Sequence, residues 1–162
     1  MRENVEVGWH ASKSNLAHFF RSVCEGLNHN GVDLGQSGML IEGFIYDLGH
    51  NGRGFDDFPR AITLELPDAS RLKTGDSVEP EKQELEAEIS VSDLLEQFKA
   101  LIFPYLQSNR YYTQAPSSLD SIMRAIEVMK EHSSGWRTKV LLHPQYGGKY
   151  EVKSIMLIYP LS

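Results

Sequence analysis

Two apolar segments, Met39 to Leu48 and Ala61 to Leu66, restrict the fold of this chain more than any other stretch. Both are rich in β-branched and aromatic residues, which are typical of strands. The segment between them, Gly49 to Arg60, contains three glycines and a proline. This pattern predicts an antiparallel hairpin whose two strands are joined by a long loop.

Three other segments show the spacing of amphipathic helices. Their apolar residues recur at intervals of three and four, which places them on one face of a helix. Ser92 is expected to cap the second of these helices. The three segments run from Ser12 or Ser14 to Leu27, from Asp93 to about Leu106, and from Ser117 to about His132.

Further strands are predicted from period-two alternation of apolar and polar residues. A short edge strand is expected around Val5 and Val7, and an amphipathic strand from Glu84 onward, where a helical start is the alternative because Glu, Leu and Ala favour helix. Two strands close the chain, Arg137 to His143 and Lys149 to Tyr159. The second ends in a continuous apolar run, so we expect it to be buried on both faces there.

The order of these elements predicts a single α+β domain over residues 1–162. We expect a mainly antiparallel sheet of about five strands, with three helices packed mostly on one face. Residues 68–82 are polar, contain Gly75 and Pro80 and show no periodicity, so a mobile surface loop is expected there.

No motif in the chain indicates a cofactor or a metal. The glycines of the Gly49 to Arg60 loop do not follow the dinucleotide-binding pattern, and none of the six histidines has the spacing of a metal ligand. Cys24, the single cysteine, falls on the apolar stripe of the first helix and is expected to be a core residue. With no secretory signal and no apolar run of membrane-spanning length, the chain is predicted to be cytoplasmic.

The negative charge of the chain is concentrated in one segment. Residues 76–96 carry eight acids and one base, while the whole chain has a net charge of −6. This balance argues against nucleic-acid binding. Three glutamates, Glu84, Glu86 and Glu88, alternate along the predicted strand and so share one face.

Such a row of carboxylates has two interpretations. It protects a sheet edge from pairing with other chains, or it attracts a cationic partner. Under the second interpretation, aromatic residues in predicted loops supply the buried anchors of an interface. The candidate anchors are Tyr111, Tyr112 and Tyr146.

The leading functional hypothesis is therefore a noncatalytic protein-binding module. The charge pattern is typical of a small cytosolic inhibitor or immunity-type protein that neutralises a basic protein partner such as a nuclease toxin. The alternative is a small enzyme with its site in the Gly49 to Arg60 loop, where His50 acts as acid or base and Asp56 or Asp57 orients it or binds a metal. A homodimer formed by edge strands, burying the strand from Ile155 to Tyr159 or a neighbouring strand at a symmetric interface, is a further possibility.

Overall fold

A computed structural model describes residues 2–7, 13–49, 62–65, 71–74, 85–108, 118–144 and 149–161. Within these ranges the chain has an α+β fold in which helices pack against an antiparallel sheet. The four helices are α1 (Lys13–His29), α2 (Gln36–Gly49), α3 (Val91–Ser108) and α4 (Ser118–His132). The six strands are β1 (Arg2–Val7), β2 (Thr63–Leu64), β3 (Arg71–Thr74), β4 (Leu85–Ser90), β5 (Arg137–Pro144) and β6 (Tyr150–Leu161).

The long strand β6 organises the sheet. The strand order is β1-β6-β5-β4-β3, and all pairs are antiparallel. On the side away from β5, β6 pairs with β1 near its end and with β2 near its start, where Thr63 lies opposite Glu151. β4 and β6 are therefore interior strands, while β1 and β3 border the described sheet.

The predicted hairpin from Met39 to Leu66 is wrong in its first half. Residues 36–49 form α2, so the described chain has four helices where three were predicted. The helix is explained by a spacing of three and four among Ile41, Phe44, Ile45 and Leu48, all of which are buried. This periodicity outweighs the β-branched composition on which the strand prediction was based. In the second half, Thr63 and Leu64 form a strand within the described residues 62–65.

The other predicted helices and strands are confirmed, with differences at their ends. α3 is capped by Ser90, whose Oγ accepts a hydrogen bond from the Asp93 backbone N–H at 3.1 Å, so the expected cap at Ser92 is wrong. The range 68–82 contains β3 at Arg71–Thr74, and the rest of that range lies outside the described residues. α1 ends at His29, and Gly31 follows in the turn beyond it. Gly31 has a φ of 77°, and the Val32 N–H donates to the Leu27 carbonyl at 2.9 Å, closing a Schellman motif.

The helices cover one face of the sheet. Alternate residues of β4, including Ala87 and Ile89, are buried in the same cluster as apolar residues of the four helices. At its centre Phe20 lies edge-to-face with Phe44, with ring centroids 5.6 Å apart, which joins α1 to α2. Phe19 packs in the same way against Phe98 of α3 at 5.3 Å. These contacts position the helices relative to one another.

Helix α1 lies close to two aromatic side chains at Gly26. A Cβ atom at this position would lie 3.0 Å from two ring carbons of Trp136 and 3.1 Å from a ring carbon of Tyr159. Both rings are buried and stack on each other with centroids 4.8 Å apart, so neither can move away freely. Gly26 is therefore required by packing.

An ion-pair network connects the outer surfaces of α3 and α4. Lys99 contacts Glu127 of α4 and, at 3.4 Å, Glu96 of its own helix. Lys130 contacts Glu96 and, at 3.4 Å, Glu127. Hydrogen bonds from the two ammonium groups lower the pKa of both carboxyls, and the hydrogen bond to Glu127 raises the pKa of Lys99. The glutamate side chains are about half exposed, so each pair stabilises the fold by at most about 1 kcal/mol.

We expect Gly26→Ala to lower the free energy of unfolding by about 1 to 3 kcal/mol, because the added methyl group overpacks the contact with Trp136 and Tyr159. Gly43→Ala is the matched control. Gly43 is also inside a helix, but a Cβ atom there would meet nothing within 4 Å. This control should gain about 0.5 to 1 kcal/mol from helix propensity. Urea denaturation measures both, and a Gly26→Ala variant as stable as the Gly43→Ala variant would contradict the packing.

The network predicts a loss of stability in acid. Because the pKa of Glu96 and Glu127 is lowered by folding, their contribution is complete above the pKa of the unfolded carboxyls and disappears as the pH falls through the folded values. A Glu96→Gln, Glu127→Gln variant should be about 1 kcal/mol less stable than wild type at neutral pH. The difference should shrink between about pH 5 and pH 2.

Urea denaturation across this pH range measures the difference. Glu131→Gln, on α4 but in no ion pair within the described residues, is the control and should match wild type throughout. A difference that stays constant with pH would show that the network does not contribute through its charges.

Candidate functional site

Most residues of the predicted sites lie outside the described part of the chain. Glu86 and Glu88 are described and lie on β4, as predicted. The remaining candidates for the partner surface and for the alternative enzyme site are undescribed, so their roles stay predictions. These residues are His50, Asp56, Asp57, Glu84, Tyr111, Tyr112 and Tyr146.

The two described glutamates lie beside basic residues. Glu88 accepts a hydrogen bond from Arg137 of β5, with 3.2 Å between Oε1 and Nη1, and lies directly opposite Lys139 in the strand register. On the other side of β4, the register places Arg71 opposite Glu88 and Lys73 opposite Glu86. On the β5 side the acidic row is thus bordered by bases, which reduces its attraction for an external cation.

This arrangement corrects one expectation. β4 lies between β3 and β5, so edge protection does not explain its carboxylates. In the strand from Ile155 to Tyr159, which is part of β6, Met156, Leu157 and Ile158 are paired with both β1 and β5. The homodimer formed by edge strands stays a prediction.

A shallow groove crosses the sheet face opposite the helices. It has a volume of about 290 Å³. Its floor is partly apolar, because Leu141 and Met156 are half-buried there, and its rim is charged. The lining residues are Glu86, Lys139, Leu141, Ser154 and Met156.

A second groove, of about 360 Å³, runs between α1 and α2 on the opposite side of the molecule. Glu25 of α1 and Glu42 of α2 approach it from the two helices, and Tyr46 supplies an aromatic wall. Arg21 is the cation among its lining residues. The complete lining is Arg21, Cys24, Glu25, Asn28, Glu42, Ile45 and Tyr46.

The outer face of α2 exposes two large apolar side chains. Met39 is 73% exposed and Tyr46 is 63% exposed, the largest values among the exposed large hydrophobic residues of the described chain. They are seven residues apart, with Glu42 and Gly43 between them at helical spacing, so the four residues share one face. We call this surface, Met39, Glu42, Gly43 and Tyr46, the α2 face. Because a strand was predicted here, this face was not recognised from the sequence, although its four residues are spaced by three, one and three positions, as on one side of a helix.

Cys24 lies at the inner end of the helix groove and is not a nucleophile at neutral pH. Burial, followed by the nearby charges of Glu42 and Glu25, raises the pKa of its thiol to about 12. The thiol is therefore protonated and unreactive under ordinary conditions. Because both glutamates contribute to this shift, both carboxylates lie near the Cys24 thiol in the groove.

Neither a metal centre nor a relationship to known proteins indicates a reaction. No group of three or more His, Cys, Asp or Glu residues that could hold a metal ion occurs among the described residues. No helix in these ranges is long and apolar enough to cross a membrane. Comparisons with protein-family models, with curated proteins and with solved structures found no match for this chain.

Proposed function

We propose that this protein is a noncatalytic binding module that recognises a basic protein partner. The observation that carries the proposal is the α2 face, where Met39 and Tyr46 are exposed on either side of Glu42. Monomeric proteins rarely leave large apolar side chains grouped on one helix face, and such groups mark interaction sites. Tyrosine and methionine are enriched in interface cores.

The charge next to the α2 face favours a cationic partner. Glu42 is on this face and Glu25 lies across the adjoining groove. Within the described residues neither glutamate forms an ion pair, unlike Glu88 on β4. Carboxylates that form no ion pair in this part of the chain are available to steer a basic surface and to pair with it.

An inhibitor of the immunity type is the specific form of this proposal. A protein that acts on nucleic acid carries a cationic surface, which an acidic helix face with aromatic anchors can cover. The row Glu84, Glu86 and Glu88 is a second candidate surface for the same class of partner. The neighbouring bases on β5 make it the weaker of the two.

Affinity capture from a lysate of the source cells tests the proposal. Tagged wild type should retain a basic protein that elutes with increasing salt. Tyr46→Ala with Glu42→Lys should reduce the affinity at least about a hundredfold, because it removes an anchor and reverses a steering charge. The matched control is Glu131→Lys, an exposed charge reversal on α4, which should retain the partner fully.

A parallel Glu84→Lys, Glu86→Lys variant distinguishes the two surfaces. If it loses the partner and the α2 variant keeps it, the α2 face is not the binding site. Retention of only acidic proteins would contradict the electrostatic argument. If the captured protein is an enzyme, its activity should fall to zero at equimolar addition of wild type, and unchanged activity would exclude the inhibitor form.

A further inference from the structure

The sheet face opposite the helices has an arrangement of charge that the binding proposal does not use. Its residues Glu86, Arg137 and Lys139 are exposed, whereas the alternate residues of β4 and β5 are buried in the core with the helices. β4 contributes two acids to this face, Glu86 and Glu88, and β5 contributes two bases, Arg137 and Lys139. Acidic and basic residues therefore form adjacent stripes, each along one strand.

The charges are only partly neutralised within the chain. Arg137 pairs with Glu88 at 3.2 Å. Glu86 and Lys139, both exposed on the rim of the groove, form no ion pair within the described residues. Half-buried apolar side chains lie beside them, because Leu141 is opposite Glu86 and Met156 is opposite Lys139 in the strand register. This face is thus complementary to a surface with the same two stripes in reversed order.

We propose that this face docks against the same face of a second copy of the chain. A two-fold axis parallel to the strands, lying between β4 and β5, places β4 of each copy over β5 of the other. Because Glu88 and Lys139 are opposite each other in the register, the symmetry brings Glu88 of one copy over Lys139 of the other, twice. Sheets packed face to face are about 10 Å apart, a gap that a lysine and a glutamate side chain span together.

The charge pattern also selects this orientation over the other two-fold arrangement. An axis perpendicular to the strands would place β4 over β4 and β5 over β5, so that like charges meet. The patch spans four strands spaced about 4.8 Å apart and six residues in length, which is less than the roughly 800 Å² per partner of a standard interface. The dimer is therefore a weak one, with a dissociation constant in the micromolar range.

A charge-swap experiment by sedimentation equilibrium tests the dimer with no other protein present. Glu88→Lys places a lysine of β4 over Lys139 of the other copy, so that two bases meet. Lys139→Glu places a glutamate of β5 over Glu88 of the other copy, so that two acids meet. Each variant alone should raise the dimer dissociation constant at least about tenfold. An equimolar mixture of the two should restore wild-type association as a heterodimer, because each Lys then faces a Glu of the other chain.

Restoration in the mixture can arise only between chains, since neither variant regains a pair within itself. A mixture that stays as monomeric as its separate components would overturn the proposal, as would wild type that remains monomeric at about 1 mM, well above the range for a weak interface. The control Glu131→Lys should dimerise like wild type. If circular dichroism shows that Glu88→Lys does not fold, Ser154→Arg is used in its place. This substitution fills the groove and leaves the Glu88–Arg137 pair intact. Undiminished dimerisation of the Ser154→Arg variant would also overturn the proposal.

Discussion

The apolar face of β4, β5 and β6 must be removed from water, and in the described chain only the helices do this. Burial of an apolar face is the dominant favourable term in folding, and here it joins all four helices to one side of one sheet in a continuous core. The close approach of α1 at Gly26, where backbone meets the Trp136 and Tyr159 rings, shows how tightly the two layers are packed. The positions of the two exposed surfaces, one on the sheet and one on α2, follow from this one-sided arrangement.

One-sided packing leaves two surfaces on which function can be located. On the sheet side, the outward residues of β4 and β5 form adjacent acidic and basic stripes around a shallow groove. On the helix side, α2 packs with Phe44 and Ile45 inward, so that Met39, Glu42 and Tyr46 project outward. The first surface carries acids on β4 and bases on β5, and we propose that it binds a second copy of the chain. The second combines exposed apolar area with carboxylates that form no ion pair within the described residues, and we propose that it binds a basic partner.

Periodicity predicted the elements in which one pattern dominates. α1 and α4 were recognisable because their apolar residues recur only at helical spacing, and β4 because its alternation is strict. α2 was missed because Ile41, Phe44 and Ile45 suit a strand by composition and a helix by spacing. Short apolar segments are ambiguous in this way, and tertiary packing against Phe20 resolves the choice.

The site was less predictable than the fold, because it depends on contacts between distant parts of the chain. The sequence shows three alternating glutamates, but nothing near them indicates that Arg137 and Lys139, about fifty residues later, lie on the adjacent strand. The exposure of Met39 and Tyr46 depends on which side of α2 meets the core, and a strand prediction assigns the sides differently. Pairing partners and helix orientation are tertiary properties, which local patterns do not encode.

The central claim is that the outer face of α2 contacts a basic protein. Photocrosslinking tests it most directly, with a benzophenone amino acid placed at Met39 in one variant and at Glu131 on α4 in another. We expect the Met39 variant to form a single adduct with a basic protein, abolished by the Tyr46→Ala, Glu42→Lys change, and the Glu131 variant to form none. Equal adducts from both positions, or an adduct that survives the change on α2, would contradict the claim.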